Sequence, residues 1–459
     1  MIGAALLAAA LLVTPLPAPE VPALVWQDCA TPQTAKRLEC AQLPVPGATL
    51  RLARLPALDP AHRIGSLLVN PGGPGGSGAD VVGYGGLGLA TPEFTELNRR
   101  FDIVGFDPRG VGGSTPAVEC GPLHDPAVSR FPADDAGYAR LVAHNVRAGL
   151  TCTGTRGIDT GTVAEDVERI RIALGEERIS WLGASYGTEI GALYAARHPD
   201  HVRAMVLDGA VDHALPMRRS VIDAAAATED ALLRFTTWCA GPGACGDDLL
   251  ARYDALMTTG APSRQLGRQA TPEELAAGVY AHLYLPQSWP QLADAIRAAP
   301  ADASALTAAM PFGSAEYPAY RAVGCQDFPS PFTGPADLRR TAERAREAAP
   351  HSWRYTEFWD FATGCLGWPV PAANPPHDEP VRGAPAILVV GGPHDPATPL
   401  RWARSLAARI EGSTLLTHDA DGHTGVVNSA CARSHEAGHL ISGGPGTSPR
   451  TRSLPCQKG

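Results

Sequence analysis

The sequence predicts an α/β fold in which a mostly parallel, doubly wound sheet carries a helical cap between its late strands. Short apolar runs alternate with segments of helical periodicity, a pattern typical of parallel strands that are buried on both faces. The strand pattern stops near residue 209 and resumes near residue 386, and the segment between them is rich in Ala and in helical patterns. That interruption predicts an insertion into the sheet domain.

The predicted elements follow in chain order. The predicted strands are SLLVN (66–70), DIVGFD (102–107), ISWLG (179–183), AMVLDG (204–209), AILVVGG (386–392) and STLLT (413–417). The predicted helices of the sheet domain are VAEDVERIRIAL (163–174) and EIGALYAARH (189–198), and those of the cap include DAAAATEDALLRFTTW (223–238), TPEELAAGVYAHLY (271–284) and PADLRRTAERAREAA (335–349). Pro and Gly separate the cap helices from one another.

The chain divides into four predicted regions. Residues 1–25 are predicted to be a signal peptide, because an apolar run at residues 2–13 is followed by small residues and prolines. Residues 26–210 form the first part of the sheet domain, and residues 211–380 form the cap, which ends in a Pro-rich return linker. Residues 381–459 complete the sheet domain and end in a disulfide-closed tail. The leader predicts secretion to the extracellular space.

The composition argues against several kinds of partner. Among the 459 residues, 44% are apolar and the formal net charge is −9, with no run rich in Lys or Arg. Such a chain is predicted to bind neither nucleic acid nor an anionic membrane surface. No stretch approaches twenty consecutive apolar residues, so no stable membrane anchor is predicted. The composition leaves the oligomeric state open.

The ten cysteines predict a framework of structural disulfides. They contain no CxxC pair, and an even count behind a signal-like segment is typical of an oxidising compartment. The simplest pairing joins neighbours in sequence, because every closed loop is then short: 29/40, 120/152, 239/245, 325/365 and 431/456. Buried free thiols in a cytosolic protein are the alternative.

A GxSxG motif places Ser185 in GASYG, between a predicted strand and a predicted helix. Gly183 and Gly187 leave room for neighbouring backbone at such a tight turn, and the serine then projects at the carboxyl edge of the sheet. The N-terminus of the following helix favours a negative oxygen at the same place. This context predicts that Ser185 is a nucleophile.

An acid and a base for this serine are predicted after the last two strands. Asp395 follows AILVVGG and His423 follows STLLT, in the order serine, acid, histidine that a sheet-based hydrolase requires. Either residue alone could merely shape its loop, but their order and strand context together predict a triad with Ser185. The neighbours that could be confused with this pair are His394, His418, Asp419 and Asp421.

An oxyanion hole is predicted from the loop NPGGPGGSG at residues 70–78. The loop follows an early strand, and its glycines allow the backbone to approach a reacting carbonyl group closely. We expect the backbone N–H of Gly73 to be one donor and that of Tyr186, the residue after the nucleophile, to be the other. A flexible linker is the alternative, but this loop lies between two strands of the core.

Several blocks together carry a family resemblance. PGGPGG, FDPRGVGGS, GASYGT, GGPHDPATP and DGHTG resemble the serine α/β-hydrolases of the prolyl and tripeptidyl aminopeptidase branch. The stretch from Cys431 to Cys456 is similar to the tail of secreted bacterial tripeptidyl aminopeptidases. The resemblance covers about residues 40–210 and 380–456 and implies an α/β-hydrolase fold. The chain departs from the prolyl aminopeptidases at Pro71, where they have His.

The resemblance implies a secreted serine exopeptidase that removes di- or tripeptides from free N-termini through an acyl-enzyme. Enzymes of this branch use acidic residues of the cap to hold the ammonium group of the substrate. We expect Asp327 in this role, because a disulfide at the nearby Cys325 would fix it in place, and Glu316 is the second candidate. The alternative for each is a solvated acidic side chain.

Two other functions are compatible with the sequence. The same triad serves an esterase, lactonase or amidase acting on a small natural product, because the fold and triad set the reaction class whereas the cap sets the substrate. A catalytically inactive member of the fold could instead act as a binding module, although the intact serine, acid, histidine and glycine loop favour an enzyme.

The stretch HEAGH matches the zinc-protease pattern through His435, Glu436 and His439. A catalytic zinc site needs a third protein ligand, and the chain after His439 contains no Asp, Glu or His. Cys456 is better explained as the disulfide partner of Cys431. We therefore predict no metal and no cofactor, and interpret this stretch as one helix of the tail.

Overall fold

The computed structural model describes residues 21–88, 90–243, 245–246, 248–385, 387–444 and 452–456. Residues 1–20 of the predicted signal peptide lie outside this described part. The structure contains a ten-stranded sheet, a small two-stranded sheet and the helices around them. The predicted α/β class is confirmed.

Twelve strands are present among the described residues. They are β1 (Gln27–Asp28), β2 (Glu39–Val45), β3 (Ala48–Leu55), β4 (Gly65–Asn70), β5 (Phe101–Phe106), β6 (Ile179–Ala184), β7 (Val202–Asp208), β8 (Ala261–Ser263), β9 (Arg268–Ala270), β10 (Ile387–Gly391), β11 (Thr414–His418) and β12 (Arg452–Cys456). All six strands predicted from the sequence are found, with ends that differ by one or two residues.

Sixteen α-helices surround these strands in the described part of the chain. They are α1 (Gly78–Tyr84), α2 (Pro92–Arg100), α3 (Asp135–Leu150), α4 (Thr160–Ala173), α5 (Gly187–Arg197), α6 (Met217–Ala240), α7 (Leu249–Thr259), α8 (Pro272–Leu283), α9 (Trp289–Ala298), α10 (Ser304–Ala309), α11 (Tyr317–Asp327), α12 (Pro335–Ala348), α13 (Glu357–Gly364), α14 (Leu400–Arg409), α15 (Gly425–Asn428) and α16 (Ala430–Ser442).

The strand order of the large sheet is β1-β2-β3-β5-β4-β6-β7-β10-β11-β12. Strands β1, β2, β3 and β5 pair in antiparallel fashion, and every pairing from β5 through β4 to β12 is parallel. The carboxyl ends of the parallel strands therefore meet at one edge of the sheet. This edge holds the loops after β4, β6, β10 and β11, which carry the predicted catalytic and oxyanion-hole residues.

Helices cover both faces of the sheet, as the continuous apolar strands predict. Every residue of β4, β6 and β10 is buried. One face packs on α1, α2 and α16 through residues such as Val82, Phe94 and Leu440. The other packs on α4, α5 and α14 through residues such as Ile170 and Ile190. The sheet is thus a rigid support for the loops at its edge.

The segment between β7 and β10 carries helices α6 to α13 and a hydrophobic cluster of its own, which includes Phe235, Trp289 and Leu292. It also contains the short antiparallel pair β8–β9, which the sequence did not predict. Helix α3 contacts this segment from outside it, because the Asn145 amide donates to the backbone carbonyls of Thr363 and Leu366 at 2.8 and 2.9 Å.

All five cysteine pairs predicted from the sequence are disulfides, and no described cysteine is free. The pair Cys325–Cys365 ties the end of α11 to the end of α13, and Cys431–Cys456 ties α16 to β12. Among the described residues, no helix combines the length and the apolar character needed to cross a bilayer.

Candidate active site

Ser185 lies at the turn between β6 and α5, where the sequence places it. Its φ is +55°, which is unusual for a residue with a Cβ and marks a strained turn of the kind that exposes a nucleophile. The Ser185 amide donates to the carbonyl of Asp208 at 2.8 Å, so the turn is fixed to the end of β7. A Cβ on Gly183 would lie 2.2 Å from the Gly187 carbonyl oxygen, so only glycine fits there.

Asp395 and His423 form a direct contact on the loops after β10 and β11. Both carboxylate oxygens of Asp395 lie 2.9 Å from Nδ1 of His423. The Asp395 carboxylate also accepts backbone N–H groups of Ala397, Thr398 and Thr424 at 2.8 to 3.1 Å. These donors fix the carboxylate, which is fully buried, and thereby orient the imidazole ring.

The surroundings of this pair favour an ionised acid and a basic imidazole. Burial would raise the pKa of Asp395, but His423 and the backbone donors outweigh it and hold the pKa below its ordinary value. Burial would lower the pKa of His423, but Asp395, Glu357 and Asp208 outweigh it and raise the pKa of the imidazole. Nδ1 of His423 faces Asp395, which leaves Nε2 for another partner.

Ser185 and His423 line the same cavity, whose volume is about 570 Å³. Nε2 of His423 is buried and makes no hydrogen bond to any described residue. This nitrogen is therefore available to the Ser185 hydroxyl or to a substrate. Ser185 and His423 thus share one cavity, and the third predicted residue, Asp395, contacts His423 from outside its lining.

The glycine loop after β4 packs directly on the turn that holds Ser185. A Cβ on Gly72, whose φ is +90°, would lie 2.5 Å from the Ala184 carbonyl oxygen and 2.8 Å from the amide nitrogen of Tyr186. Gly73 lines the cavity, and within the described chain no acceptor engages the backbone N–H of Gly73 or of Tyr186. Two unengaged N–H groups beside a nucleophile are what an oxyanion hole requires.

The cavity is aromatic and acidic. Among the described residues that line it, none is Lys or Arg, and two, Glu316 and Glu357, are carboxylic acids. Its aromatic lining consists of Tyr280, Tyr284, Tyr317, Tyr320 and Tyr355. Aromatic faces and carboxylates both attract cations, so the cavity favours a ligand with a positively charged group.

Glu357, the first residue of α13, is half-buried at the cavity wall. The Tyr284 hydroxyl donates to its carboxylate at 2.6 Å. Burial raises the pKa of Glu357 to about 7, despite the opposing effects of the Tyr284 hydroxyl and of His423. Glu357 also lines a small second pocket, together with Ser185 and the apolar side chains of Phe328, Phe358 and Phe361. A charged group held by Glu357 would thus lie near the nucleophile.

Asp327 does not lie in the cavity, which corrects its predicted role as a substrate ligand. Its side chain is fully buried at the end of α11 and accepts hydrogen bonds from Thr160, Tyr186 and Asn374. Burial and the neighbouring Glu189 raise the pKa of Asp327 to about 7. The acid that was expected beside a substrate is instead a buried acceptor of hydrogen bonds from within the protein. Glu316 does line the cavity, where it is exposed.

The structure also separates the triad candidates from their neighbours in sequence. Nδ1 of His394 lies 2.8 Å from Asp230, and Asp421 pairs with Arg234. Both ring nitrogens of His418 are buried, with no hydrogen-bond partner among the described residues. Of the carboxylates around it, Asp395 alone accepts a hydrogen bond from His423 in the described chain.

HEAGH lies within α16, as predicted, and is closed into the tail by a disulfide. His435 is exposed beside the sulfurs of Cys431 and Cys456, whereas Glu436 and His439 are buried. Burial raises the pKa of the Glu436 carboxyl well above its usual range. The two histidines of the motif therefore lie in different environments.

Glu357 and the cavity tyrosines were missed by the sequence analysis. The Thr356 side chain caps α13 by accepting the backbone N–H of Trp359. Glu357 follows this cap, and because acids are common in the first turn of any helix, its position gave no signal of function. The one available signal was the aromatic residue Tyr355 immediately before the cap, in a segment rich in aromatic residues.

Comparison with known proteins identifies related sequences. Residues 65–245 match the model of the alpha/beta hydrolase fold, and residues 350–451 match that of the TAP-like proteins. Serine protease Hip1 of Mycobacterium tuberculosis is 33% identical over 434 residues, covering 86% of this chain and 82% of the relative. Carboxylesterase B of the same species is 34% identical, covering 94% and 89%. Tripeptidyl aminopeptidase of Streptomyces coelicolor is 31% identical, covering 91% and 84%.

Proposed function

The chain belongs to the α/β-hydrolase family of TAP-like serine hydrolases, and from that membership we propose that it is an exopeptidase that removes di- or tripeptides from free N-termini. The observation that carries the proposal is the acidic, tyrosine-lined cavity that Ser185 and His423 share. Two of the relatives, from Streptomyces coelicolor and Streptomyces lividans, are tripeptidyl aminopeptidases, which supports the same reaction.

Catalysis would proceed through an acyl-enzyme. The Ser185 hydroxyl attacks the scissile carbonyl carbon while Nε2 of His423 takes its proton, and the proton then passes to the departing amine. A water molecule, deprotonated by His423, hydrolyses the ester and restores Ser185. Asp395 holds the imidazole in orientation and stabilises its charged form. The contact between Asp395 and Nδ1 supports these assignments.

The N–H groups of Gly73 and Tyr186 would stabilise the tetrahedral oxyanion in both steps. They have no acceptor in the described chain, so no internal hydrogen bond has to be broken when the oxyanion forms. The position of Tyr186 at the N-terminus of α5 adds the positive end of the helix dipole to the same place.

Glu357 is the group that we propose holds the substrate ammonium. It is the half-buried carboxylate of the cavity, and it also borders the small apolar pocket beside Ser185. Glu316 lies at the exposed part of the lining and would attract the same charge from further out. None of the described lining residues is Lys or Arg, so no such cation neutralises the ionised carboxylates of these acids.

We also propose that the protein is secreted. Its five disulfides support a working environment that is oxidising, because reducing compartments keep most cysteines as thiols. Peptides released from other proteins outside the cell are a fitting substrate for such an enzyme.

An esterase acting on a small natural product is the second candidate. It is favoured by the relative named carboxylesterase B, which covers most of the chain. The two functions differ in what the cavity must recognise: an esterase has no need of a charged N-terminus, whereas an exopeptidase depends on one.

Hydrolysis of matched peptide amides with free and acetylated N-termini tests the proposal. We expect cleavage of the free peptides and a loss of at least about a hundredfold in kcat/KM on acetylation, since a charge-assisted contact at a partly buried carboxylate is removed. Equal activity on both peptides, or activity on esters alone, would favour the esterase. Labelling by a fluorophosphonate tests the binding-module alternative, which predicts no modification of Ser185.

A further inference from the structure

The side chain of Tyr186 connects the predicted oxyanion hole to the cap. Tyr186 is the residue before α5, and α5 has no side-chain cap of its own at this end. The Tyr186 hydroxyl lies 2.5 Å from Oγ1 of Thr160 and donates to the Asp327 carboxylate at 3.2 Å. The same residue therefore offers a backbone N–H to the substrate and a hydroxyl to a buried acid.

Asp327 is held by donors from three separate parts of the chain. Besides the Tyr186 hydroxyl, it accepts the backbone N–H of Thr160 at 3.1 Å, the Thr160 hydroxyl at 2.8 Å and the Asn374 amide at 2.9 Å. All these residues are buried. In its ionised form the Asp327 carboxylate only accepts hydrogen bonds and so suits this set of donors, whereas an amide in its place would turn its own N–H group toward one of them.

The end of α11 is fixed independently of this carboxylate. The adjacent Gln326 amide donates to the Thr155 carbonyl at 2.7 Å, and Cys325 is bonded to Cys365. Helix α11 can therefore keep its place when the Asp327 carboxylate is altered. Loss of the carboxylate would then act on Tyr186 both directly and through Thr160, whose hydroxyl lies 2.5 Å from that of Tyr186.

We propose that Asp327 is a positioning residue that sets the backbone N–H of Tyr186 in the oxyanion hole through the Tyr186 hydroxyl. The inference rests on the proposed role of Ser185 as nucleophile, but not on the peptide substrate. Small displacements of an oxyanion donor lower the rate of the chemical step, because the donor must meet the position that the oxygen takes in the transition state. Binding of the ground-state substrate does not use this contact, so KM stays unchanged.

The test compares Tyr186→Phe, Asp327→Asn and the double variant on an activated ester with a neutral acyl group. We expect kcat to fall about five- to tenfold for Tyr186→Phe and about ten- to a hundredfold for Asp327→Asn, with KM unchanged. Because both substitutions break one chain of contacts, the double variant is expected to be no slower than Asp327→Asn alone. Labelling by a fluorophosphonate should slow in parallel, since the phosphoryl oxygen bound to its tetrahedral phosphorus occupies the same oxyanion hole.

Gln326→Ala is the matched control, because it removes a different side-chain hydrogen bond at this end of α11 without touching Tyr186. It is expected to keep kcat within about twofold. Wild-type kcat in Tyr186→Phe, a rise in KM without a fall in kcat, or an equal fall in Gln326→Ala would each overturn the inference. If Asp327→Asn fails to fold, kcat and KM of Tyr186→Phe alone test the inference. An active Ser185→Ala variant would instead overturn the proposed function.

Discussion

Asp395 and His423 are the residues for which sequence reasoning and geometry agree most closely in position. Each follows a buried parallel strand, and the ends of such strands converge at one edge of a sheet. The neighbouring acids Asp419 and Asp421 could not be separated from Asp395 by pattern alone. The contact to Nδ1 of His423 separates them, and it supports one specific set of roles.

The role of Asp395 is tested by Asp395→Asn. We expect kcat to fall by about 10³- to 10⁴-fold, because an amide favours the wrong tautomer of His423 and cannot stabilise the imidazolium. The measurement is steady-state hydrolysis of an activated ester. Asp419→Asn is the control and should keep near-wild-type kcat. The reverse ranking of the two variants would contradict the assignment.

Glu357 gives a prediction for pH dependence. Its pKa of about 7 lies above the ordinary value for Glu, so the carboxylate becomes charged as pH rises through about 7. The α-amino group of a peptide loses its proton near pH 8. We expect the ratio of kcat/KM for free over acetylated peptides to rise through about pH 7 and to fall above about pH 8.

The titration of His423 affects kcat/KM for both substrates equally and therefore cancels in the ratio of the two values. In Glu357→Gln the ratio should be close to one and should show no rise near pH 7. Glu316→Gln is the matched control, because Glu316 is exposed, and it should keep most of the selectivity. A pH-dependent ratio that survives in Glu357→Gln would assign the ammonium site to another residue.

At the scale of elements, the glycine loop depends on a close approach that only glycine allows. Gly72→Ala would put a Cβ within 2.5 Å of the Ala184 carbonyl oxygen and strain a backbone at φ +90°. We expect the loop to move off the nucleophile turn and kcat to fall about a hundredfold, as for loss of one oxyanion donor.

Gly85→Ala is the control for backbone strain in this prediction. Gly85 also has a positive φ, of +78°, but a Cβ there would meet nothing within 4 Å. Circular dichroism and kcat measured side by side should show two folded proteins, of which only the Gly72 variant is slow. Equal kcat in the two variants would show that the loop does not support the oxyanion hole.

Local patterns were sufficient for the central parallel strands and for three cap helices, α6, α8 and α12, but not for the edges of the sheet or for contacts between distant segments. Continuous apolar runs predicted β4, β5, β6, β7, β10 and β11. The antiparallel strand β2 reads ECAQLPV, with alternating burial, and was missed because its Pro and its charged first residue weaken the strand pattern. Helix α3 contacts the cap through Asn145, a long-range contact that no local pattern encodes.

The same limit explains the outcome for the cap acids. Asp327 and Glu357 both lie on cap helices, and a helix can turn an acid toward the cavity or away from it without changing its sequence pattern. Asp327 is turned toward Thr160 and Tyr186, whereas Glu357 is turned toward the cavity. Strand ends have a fixed place in the fold, and cap helices do not. The positions of Asp395 and His423 could therefore be predicted, whereas of the two cap acids predicted only the second candidate, Glu316, lines the cavity, and Glu357 was missed.

For the whole molecule, the disulfides constrain the unfolded chain to different extents. Cys325–Cys365 spans a sequence separation of 40 residues, and Cys239–Cys245 spans 6. The loop-entropy relation gives about 4 kcal/mol for the longer loop and about 2 kcal/mol for the shorter. We expect the double Ser variant at 325 and 365 to lose more free energy of unfolding than that at 239 and 245.

Urea denaturation of the two variants measures this difference in one buffer. Because Cys325–Cys365 also joins α11 to α13, its removal should raise KM for peptides as well as lower stability. The Cys239–Cys245 disulfide joins no described element that lines the cavity, so the variant that lacks it serves as the control. A larger loss of stability in that variant would contradict the entropic account.

The proposed exopeptidase mechanism requires that Ser185 carries an N-terminal peptide fragment as an ester during turnover. The protein is mixed with the ester of a peptide whose N-terminus is free, the reaction is stopped with acid, and mass spectrometry of the protein then tests this requirement directly. We expect the tryptic fragment containing Ser185 to gain the mass of the first two or three residues of the substrate, with their amino group free. An adduct on another residue, or one that contains the C-terminal part of the substrate, would contradict it.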